Sequence, residues 1–298
     1  MQIGLIGLGK MGFNLALNMH QKGHHVIAYD LNPATIEAII HRGIKTVDNF
    51  EDMAEEFHSR KIIWLMIPAG SAIDQTIEAL KPHLSEGDVI IDGGNSFYKD
   101  SMRRARDLES AGMYFLDCGT SGGTEGALQG VCAMVGGDKS AFQFCEPLFK
   151  NISVSEGYLY CGPSGSGHFV KMIHNGIEYG MMQAIAEGFE VLHKSEFNLD
   201  LKSIAGVWNH GSVVRSWLME LTENALSKDP KLEEIKGIMH SSGEGKWTLD
   251  AALEKQIATP VIALSLLMRY RSLQDDTFAG KIVAALRNEF GGHAVEKK

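Results

Sequence analysis

Four polar residues in one short stretch, Lys171, His174, Asn175 and Glu178, have the types and spacing for proton-transfer chemistry. Offsets of 3, 4 and 7 from the lysine fall on one face of a helix over two turns. The residues around them, Phe169, Val170, Met172, Ile173 and Ile177, are apolar, so the helix reads as buried. A buried polar stripe costs free energy unless a ligand or partner satisfies it. This one holds an ammonium and a carboxylate, a base and an acid for moving protons. The plainer reading is a solvated face with a lysine and a glutamate too far apart to pair, and the apolar surroundings weigh against it.

A second constellation stands at the start of the chain. The apolar run 2–6 breaks into GLGKMG at 7–12, a helical pattern follows over 13–21, and 25–30 reads as a second strand ending in Asp30. A GxGxxG between strand and helix, with an acid about 20 residues on, is the pattern of a dinucleotide site. Gly7 makes the tight turn, Gly9 lets backbone approach a pyrophosphate, and Gly12 lets helix and strand pack closely. Lys10 and Met11 complete the turn, whose helix N-terminus offers free N–H groups to phosphates. Asp30 can accept from the adenosine ribose hydroxyls and repels a 2′-phosphate, and Leu31, Asn32 and Pro33 bring no arginine. The expected cofactor is NAD rather than NADP. A capping role for Asp30 at the helix near Pro33 is compatible with this.

These two constellations need elements to position them. The first half alternates strands (61–67, 89–92, 113–118, 131–135) with helices (72–80, the arginine-rich segment after 96, and 140–149). The strands end in small-residue loops, at Pro68, at GGNS over 93–96 and over 119–126, where parallel sheets bind ligands. From 162 a turn-rich hinge gives way to helical periodicity, with a long helix over 167–193 and shorter ones over 201–209, 213–226, 249–256, 261–270 and 277–290. The expectation is an α/β Rossmann domain over 1–161 followed by an all-α substrate and dimerisation domain over 162–298. Such an order leaves a cleft where substrate meets cofactor.

Composition limits the alternatives. Hydrophobic residues make up 44% of the 298, which supports real cores. A net charge of −9 without a basic cluster argues against a nucleic-acid partner. No apolar run approaches the roughly 20 residues that span a bilayer. Met1 runs straight into the first strand, and the four cysteines lack metal or CxxC spacing, so the expectation is a cytoplasmic protein with reduced thiols and no metal. Met172, Met181 and Met182 read as core fillers.

The motifs GLGKMG, DGGNS (92–96), SGGTEGA (121–127), GHFVKMIHNGIEYG (167–180), GKWT (245–248) and RNEFGGH (287–293) together resemble the decarboxylating 6-phosphogluconate dehydrogenases, in a short form, over nearly the whole chain. The wider β-hydroxyacid dehydrogenase superfamily shares the first three motifs and a lysine with an asparagine four residues on. The resemblance implies that Lys171 accepts the hydroxyl proton during hydride transfer and that Glu178 protonates carbon 1 of the product after decarboxylation. It implies that Asn95 lies where nicotinamide and substrate meet, with Pro68 on the cofactor side. Ser121, Gly122 and Gly123 would contact the sugar acid, and His174 and Asn175 would order its hydroxyls and carboxylate. Tyr179, Lys246, Arg269, Arg287 and His293 would gather around the phosphate, with Arg271 an alternative to Arg269. In the longer enzymes the Arg–His tail enters the neighbouring subunit's site, so a homodimer or higher homo-oligomer is expected. Two alternatives share the motifs: a dehydrogenase of a small hydroxy acid that releases no carbon dioxide, and a non-catalytic NAD-binding sensor.

Overall fold

Three short aliphatic runs, at 62–65, 89–91 and 3–6, are buried on both sides and alternate between two hydrophobic layers. Ile3, Leu5, Ile62, Trp64, Val89 and Ile91 join one cluster, while Ile6, Ile63, Leu65 and Ile90 join the other. A period of two with both faces covered is the signature of a parallel sheet between helices. The computed structural model describes residues 1–297 and divides into two units, Met1–His174 and Asn175–Lys298.

The first unit runs β1 (Gln2–Ile6), α1 (Lys10–Gln21), β2 (His25–Tyr29), α2 (Pro33–Ile40), β3 (Lys45–Thr46), α3 (Phe50–Glu55), β4 (Ile62–Leu65), α4 (Ser71–Leu80), β5 (Val89–Asp92), α5 (Tyr98–Glu109), β6 (Tyr114–Ser121), α6 (Gly123–Gln129), β7 (Val131–Gly137), α7 (Lys139–Ile152) and β8 (Ser153–Gly162), into α8 (Ser166–His193). The strands form one sheet in the order β3-β2-β1-β4-β5-β6-β7-β8. All neighbours are parallel except β6 and β7. The first six follow the 3-2-1-4-5-6 order of dinucleotide-binding sheets, with the crossing point between β1 and β4. Helices α1 and α7 supply Leu15, Met19, Phe142 and Phe149 to one layer, and α4 and α5 supply Ile73, Ile77 and Leu108 to the other.

The second unit continues α8 and adds α9 (Leu201–Gly211), α10 (Trp217–Lys228), α11 (Glu244–Glu254), α12 (Pro260–Ser272) and α13 (Phe278–Gly291). Its buried cluster is small: Phe189, Ala205, Met219 and Leu226. The expected class, a Rossmann domain followed by helices, is the one observed.

Several elements differ from expectation. The 119–126 stretch, read as a loop, carries β6 on to Ser121 and opens α6, because antiparallel pairing of Ser121 with Cys132 extends the strand. Strand β8 gave no clear signal: its ladder slips twice and Glu156 takes a positive φ of 59°. Helix α10 begins at Trp217 rather than near 213, because the Ser216 side chain caps it by accepting from Met219 N at 3.1 Å. Helix α11 starts earlier than 249, at Glu244, behind a glycine with φ of 110°.

Candidate active site

The β1–α1 turn is built by contact, glycine by glycine. Gly7 takes φ of 96°, and a Cβ there would lie 2.5 Å from the Met66 carbonyl oxygen. A Cβ on Gly12 would lie 2.0 Å from the Gly7 oxygen, so helix and turn touch backbone to backbone. Gly9 is different: a Cβ there meets nothing within 4 Å and would point into open space. Gly9 is also the N-cap of α1 and offers no side chain to the first-turn N–H groups. That leaves donors for an anion at a helix N-terminus. A cavity of about 520 Å³ opens here, lined by Gly7, Gly9, Asp30, Leu31, Pro68 and Gln75 among others. In the first turn of α1, Lys10 is exposed and Met11 is half-buried against the core. These residues fit a dinucleotide.

Asp30 sits at the end of β2 and accepts from Leu8 N at 2.5 Å and Asn32 N at 2.7 Å. It thereby ties the glycine turn to the second strand. The cap of α2 belongs to Asn32, whose side chain accepts from Ala34 N, so Asp30 is not the capping residue.

Lys171 lies in the second turn of α8 and is 7% exposed. Three glycines bring that helix down onto the sheet. A Cβ on Gly119 of β6 would stand 2.3 Å from Lys171 Cβ, so the lysine stem lies on strand backbone. Cβ atoms on Gly136 or Gly167 would collide with the facing backbone at 2.7 Å or less. The buried Asp117 carboxylate accepts from Gly165 N at 2.6 Å and His168 N at 2.9 Å, holding the start of α8. Burial pushes the Asp117 carboxyl above the ordinary carboxylate range. Ser101 Oγ lies 2.7 Å from His168 Nδ1 and fastens α5 to the same helix.

Further along α8, Asn175 is buried, Glu178 half-buried and His174 exposed. The stripe is therefore not uniformly buried as the sequence suggested, and Val170 and Ile177 beside it are exposed. Asn95, at the loop after β5, is exposed. Ser121 ends β6, and Gly122 and Gly123, both with positive φ, turn the chain into α6.

Of the five expected phosphate residues, Tyr179 and Arg269 are brought into contact in one chain. The Arg269 guanidinium stacks 3.6 Å above the ring of Tyr179 and donates to His240 O at 2.8 Å. Gly245 packs on the same ring, since a Cβ there would be 2.5 Å from it, and Lys246 is the next residue of α11. Lys246 pairs with Asp250 at 2.6 Å, and that carboxylate holds its ammonium above the usual lysine range. Arg271 instead donates to Gln274 O. Arg287 and His293 are not brought to this group. They lie on α13 and just past it, exposed, and the contacts of His293 are to that helix's own end, with Asn288 Nδ2 donating to His293 O at 2.8 Å.

Asp92, Arg104, Asp117 and His168 escaped the sequence reading, although all are nearly fully buried. A sequence does not show which arginine of a charged helix faces inward. Burial pushes the thiols of Cys118 and Cys145 up, the latter to about 12, which argues against either as a nucleophile. Among the described residues no group of three or more His, Cys, Asp or Glu side chains could hold a metal ion, and no helix is long and apolar enough to cross a membrane.

Two family models match the chain. Residues 2–162 match the NAD binding domain of 6-phosphogluconate dehydrogenase, and residues 167–289 match the 6-phosphogluconate dehydrogenase C-terminal domain. A Bacillus subtilis protein, YqeC, provisionally named a 6-phosphogluconate dehydrogenase, is 58% identical over the full length of both chains. The NAD(+)-dependent, decarboxylating 6-phosphogluconate dehydrogenase of Haloferax volcanii is 42% identical over 100% of this chain and 99% of its own. Among solved structures, Plasmodium falciparum 6-phosphogluconate dehydrogenase, described with NADP+ and with 6-phosphogluconate, superposes with a TM-score of 0.86 at 32% identity. That match covers all of this chain, which spans 66% of the longer enzyme.

Proposed function

The chain belongs to the 6-phosphogluconate dehydrogenase family, and from that premise we propose that it oxidises 6-phosphogluconate with NAD and releases carbon dioxide to give ribulose 5-phosphate. The observation that carries this reading is Lys171, buried with its stem on the Gly119 backbone, on a helix whose next two turns present Asn175 and Glu178. The matches over 2–162 and 167–289 support a cofactor portion over 1–161 and a substrate and dimerisation portion over 162–298.

Bound NAD supplies the hydride acceptor. Lys171 takes the proton of the 3-hydroxyl as carbon 3 gives up its hydride. The resulting 3-keto acid loses carbon dioxide because its new carbonyl holds the electron pair as an enol, and protonated Lys171 returns its proton to that oxygen. Glu178 then protonates the former carbon 2, carbon 1 of the product, as the enediol collapses to the ketone. His174 and Asn175 order the hydroxyls and carboxylate, with Asn95, Ser121, Gly122 and Gly123 against the sugar acid. Tyr179, Lys246 and Arg269 take the phosphate, a role that suits the guanidinium fork. The stacking on Tyr179 supports Arg269 over Arg271. For the cofactor, the Asp30 carboxylate at the end of β2, without a neighbouring arginine, supports NAD.

Steady-state assays with 6-phosphogluconate, comparing NAD with NADP and following reduced cofactor and carbon dioxide together, test the reading. Equal yields of the two products with NAD preferred are expected. Equal yields with NADP preferred would remove the Asp30 argument. Reduced cofactor without carbon dioxide, on a small hydroxy acid, would favour the non-decarboxylating alternative, and binding without any turnover would favour a sensor.

The active unit is read as a homo-oligomer whose second copy supplies Arg287 and His293. Helix α13 supports this, since it buries no residue in its own chain while Phe278, Ile282, Val283, Leu286 and Phe290 stand exposed along it. Another support is an apolar cavity of about 520 Å³ between α8 and α10, lined by Met182, Phe189, Leu218, Leu221 and Leu226. Contiguous exposed apolar faces mark association surfaces. Light scattering should give at least a dimer, and specific activity should fall on dilution below the dissociation range. A fully active monomer would sink the idea.

A further inference from the structure

Helix α5 carries two adjacent arginines with opposite surroundings. Arg103 is 45% exposed and sits among Asp74, Asp100 and Asp107, an arrangement that contributes little to stability. Arg104 is 2% exposed. Its Nε donates to Asp74 Oδ1 at 2.8 Å, its Nη2 to the Gly70 carbonyl at 3.0 Å, and its Nη1 reaches Asp92 Oδ2 at 3.5 Å. The hydrogen bond from Arg104 is the main reason the Asp74 carboxyl is held below the usual carboxylate range.

Those three acceptors belong to two different strand ends. Gly70 closes the loop after β4 that contains Pro68, and Asp74 lies in the first turn of α4, whose next residue Gln75 lines the cofactor cavity. Asp92 is the last residue of β5 and organises the loop that presents Asn95. It accepts from Ser96 Oγ at 2.7 Å and from Gly94 N at 3.2 Å. A buried carboxylate and a buried guanidinium are each costly to strip of water, and their full set of acceptors and donors offsets that cost. A bond within either loop would stabilise that loop alone. A planar fork with five donors can instead fix the distance between the two.

We propose that Arg104 is a positioning residue of the cofactor site, one guanidinium that sets the spacing of the 68–74 and 92–96 segments so that Pro68 and Asn95 face the same bound dinucleotide. The inference rests on the reading of Pro68 and Asn95 as walls of that site. It makes no use of the sugar acid or of decarboxylation.

The test is direct NADH binding by fluorescence titration on the purified full-length protein, alongside thermal midpoints without ligand. Arg104→Met is expected to raise the NADH Kd about tenfold, which corresponds to about 1.4 kcal/mol. Arg104→Lys, which keeps the charge and loses the fork, should raise it at least threefold and covers the case in which the methionine variant does not fold. Arg103→Met should bind like the parent. Leu108→Ala, fully buried one turn along the same helix, supplies the control for loosening without loss of the bridge and should lower the midpoint at unchanged Kd. Folded Arg104 variants with the parental Kd would overturn the inference, as would equal weakening by Leu108→Ala. In the first case Asn95→Ala separates the causes: weakened binding there convicts the Arg104 inference alone, and unchanged binding removes the assignment of the loop as well.

Discussion

Lys171→Met is expected to lower kcat about 10³-fold while the protein folds and binds NADH as before, since general acid–base groups contribute about 10² to 10⁴. Methionine keeps an unbranched stem of similar length, so the packing against Gly119 survives and the loss is confined to the amine. The lysine is asked to act twice, accepting the hydroxyl proton and then returning it to the carbonyl oxygen, which places the expected loss above that of a single-use base. Lys171→Arg should not rescue, because a guanidinium does not give up its proton in a protein. Steady-state rates, NADH titration and thermal midpoints on both variants check the prediction. Retention of more than about a tenth of the parental kcat by the methionine variant would remove Lys171 as the base.

How much of this was legible in the sequence depended on how local the cause was. The turn at Gly7, Gly9 and Gly12 was legible because the spacing itself is local to the opening strand and helix, although Gly7 is crowded by the distant Met66 and only Gly12 answers to a contact within the turn. Lys171 was legible because helical spacing alone puts it in line with Asn175 and Glu178. The burial along that stripe was not: Lys171 is held down by Gly119, Gly136 and Gly167, and those contacts depend on β6 and β7 pairing antiparallel beneath the helix. Nothing local distinguishes buried Arg104 from exposed Arg103, since their difference is made by α4 and β5. The same holds for Asp117, whose task is to accept from two N–H groups 48 and 51 residues away in sequence. The phosphate residues show a further limit. Tyr179 and Arg269 meet within one chain, whereas Arg287 and His293 stay apart from them, which is why the reading of the site calls for a second copy.

The glycine turn yields a prediction in which stability and binding separate. At Gly12 an added Cβ would stand 2.0 Å from the Gly7 oxygen and 3.0 Å from its carbonyl carbon, both backbone atoms that cannot swing aside. Gly12→Ala must therefore push α1 off the turn, with an overpacking cost of about 1–3 kcal/mol. The first-turn N–H groups move with the helix, and the NADH Kd is expected to rise at least ~30-fold, about 2 kcal/mol. At Gly9 the same methyl group meets no protein atom within 4 Å, and the backbone there has φ of −58°, which alanine adopts without strain. Gly9→Ala should leave the thermal midpoint unchanged or raise it by an amount worth about 0.4–1 kcal/mol, through a smaller entropy of the unfolded chain. Its methyl group nevertheless occupies the space through which a pyrophosphate must approach the helix N-terminus, so NADH binding should weaken on a protein at least as stable as the parent. Gly9 and Gly12 thus fail for opposite reasons, one through lost access and the other through lost packing. Equal loss of stability in both variants would mean that the turn is a packing device alone, and the phosphate-binding role of its N–H groups would fall with it.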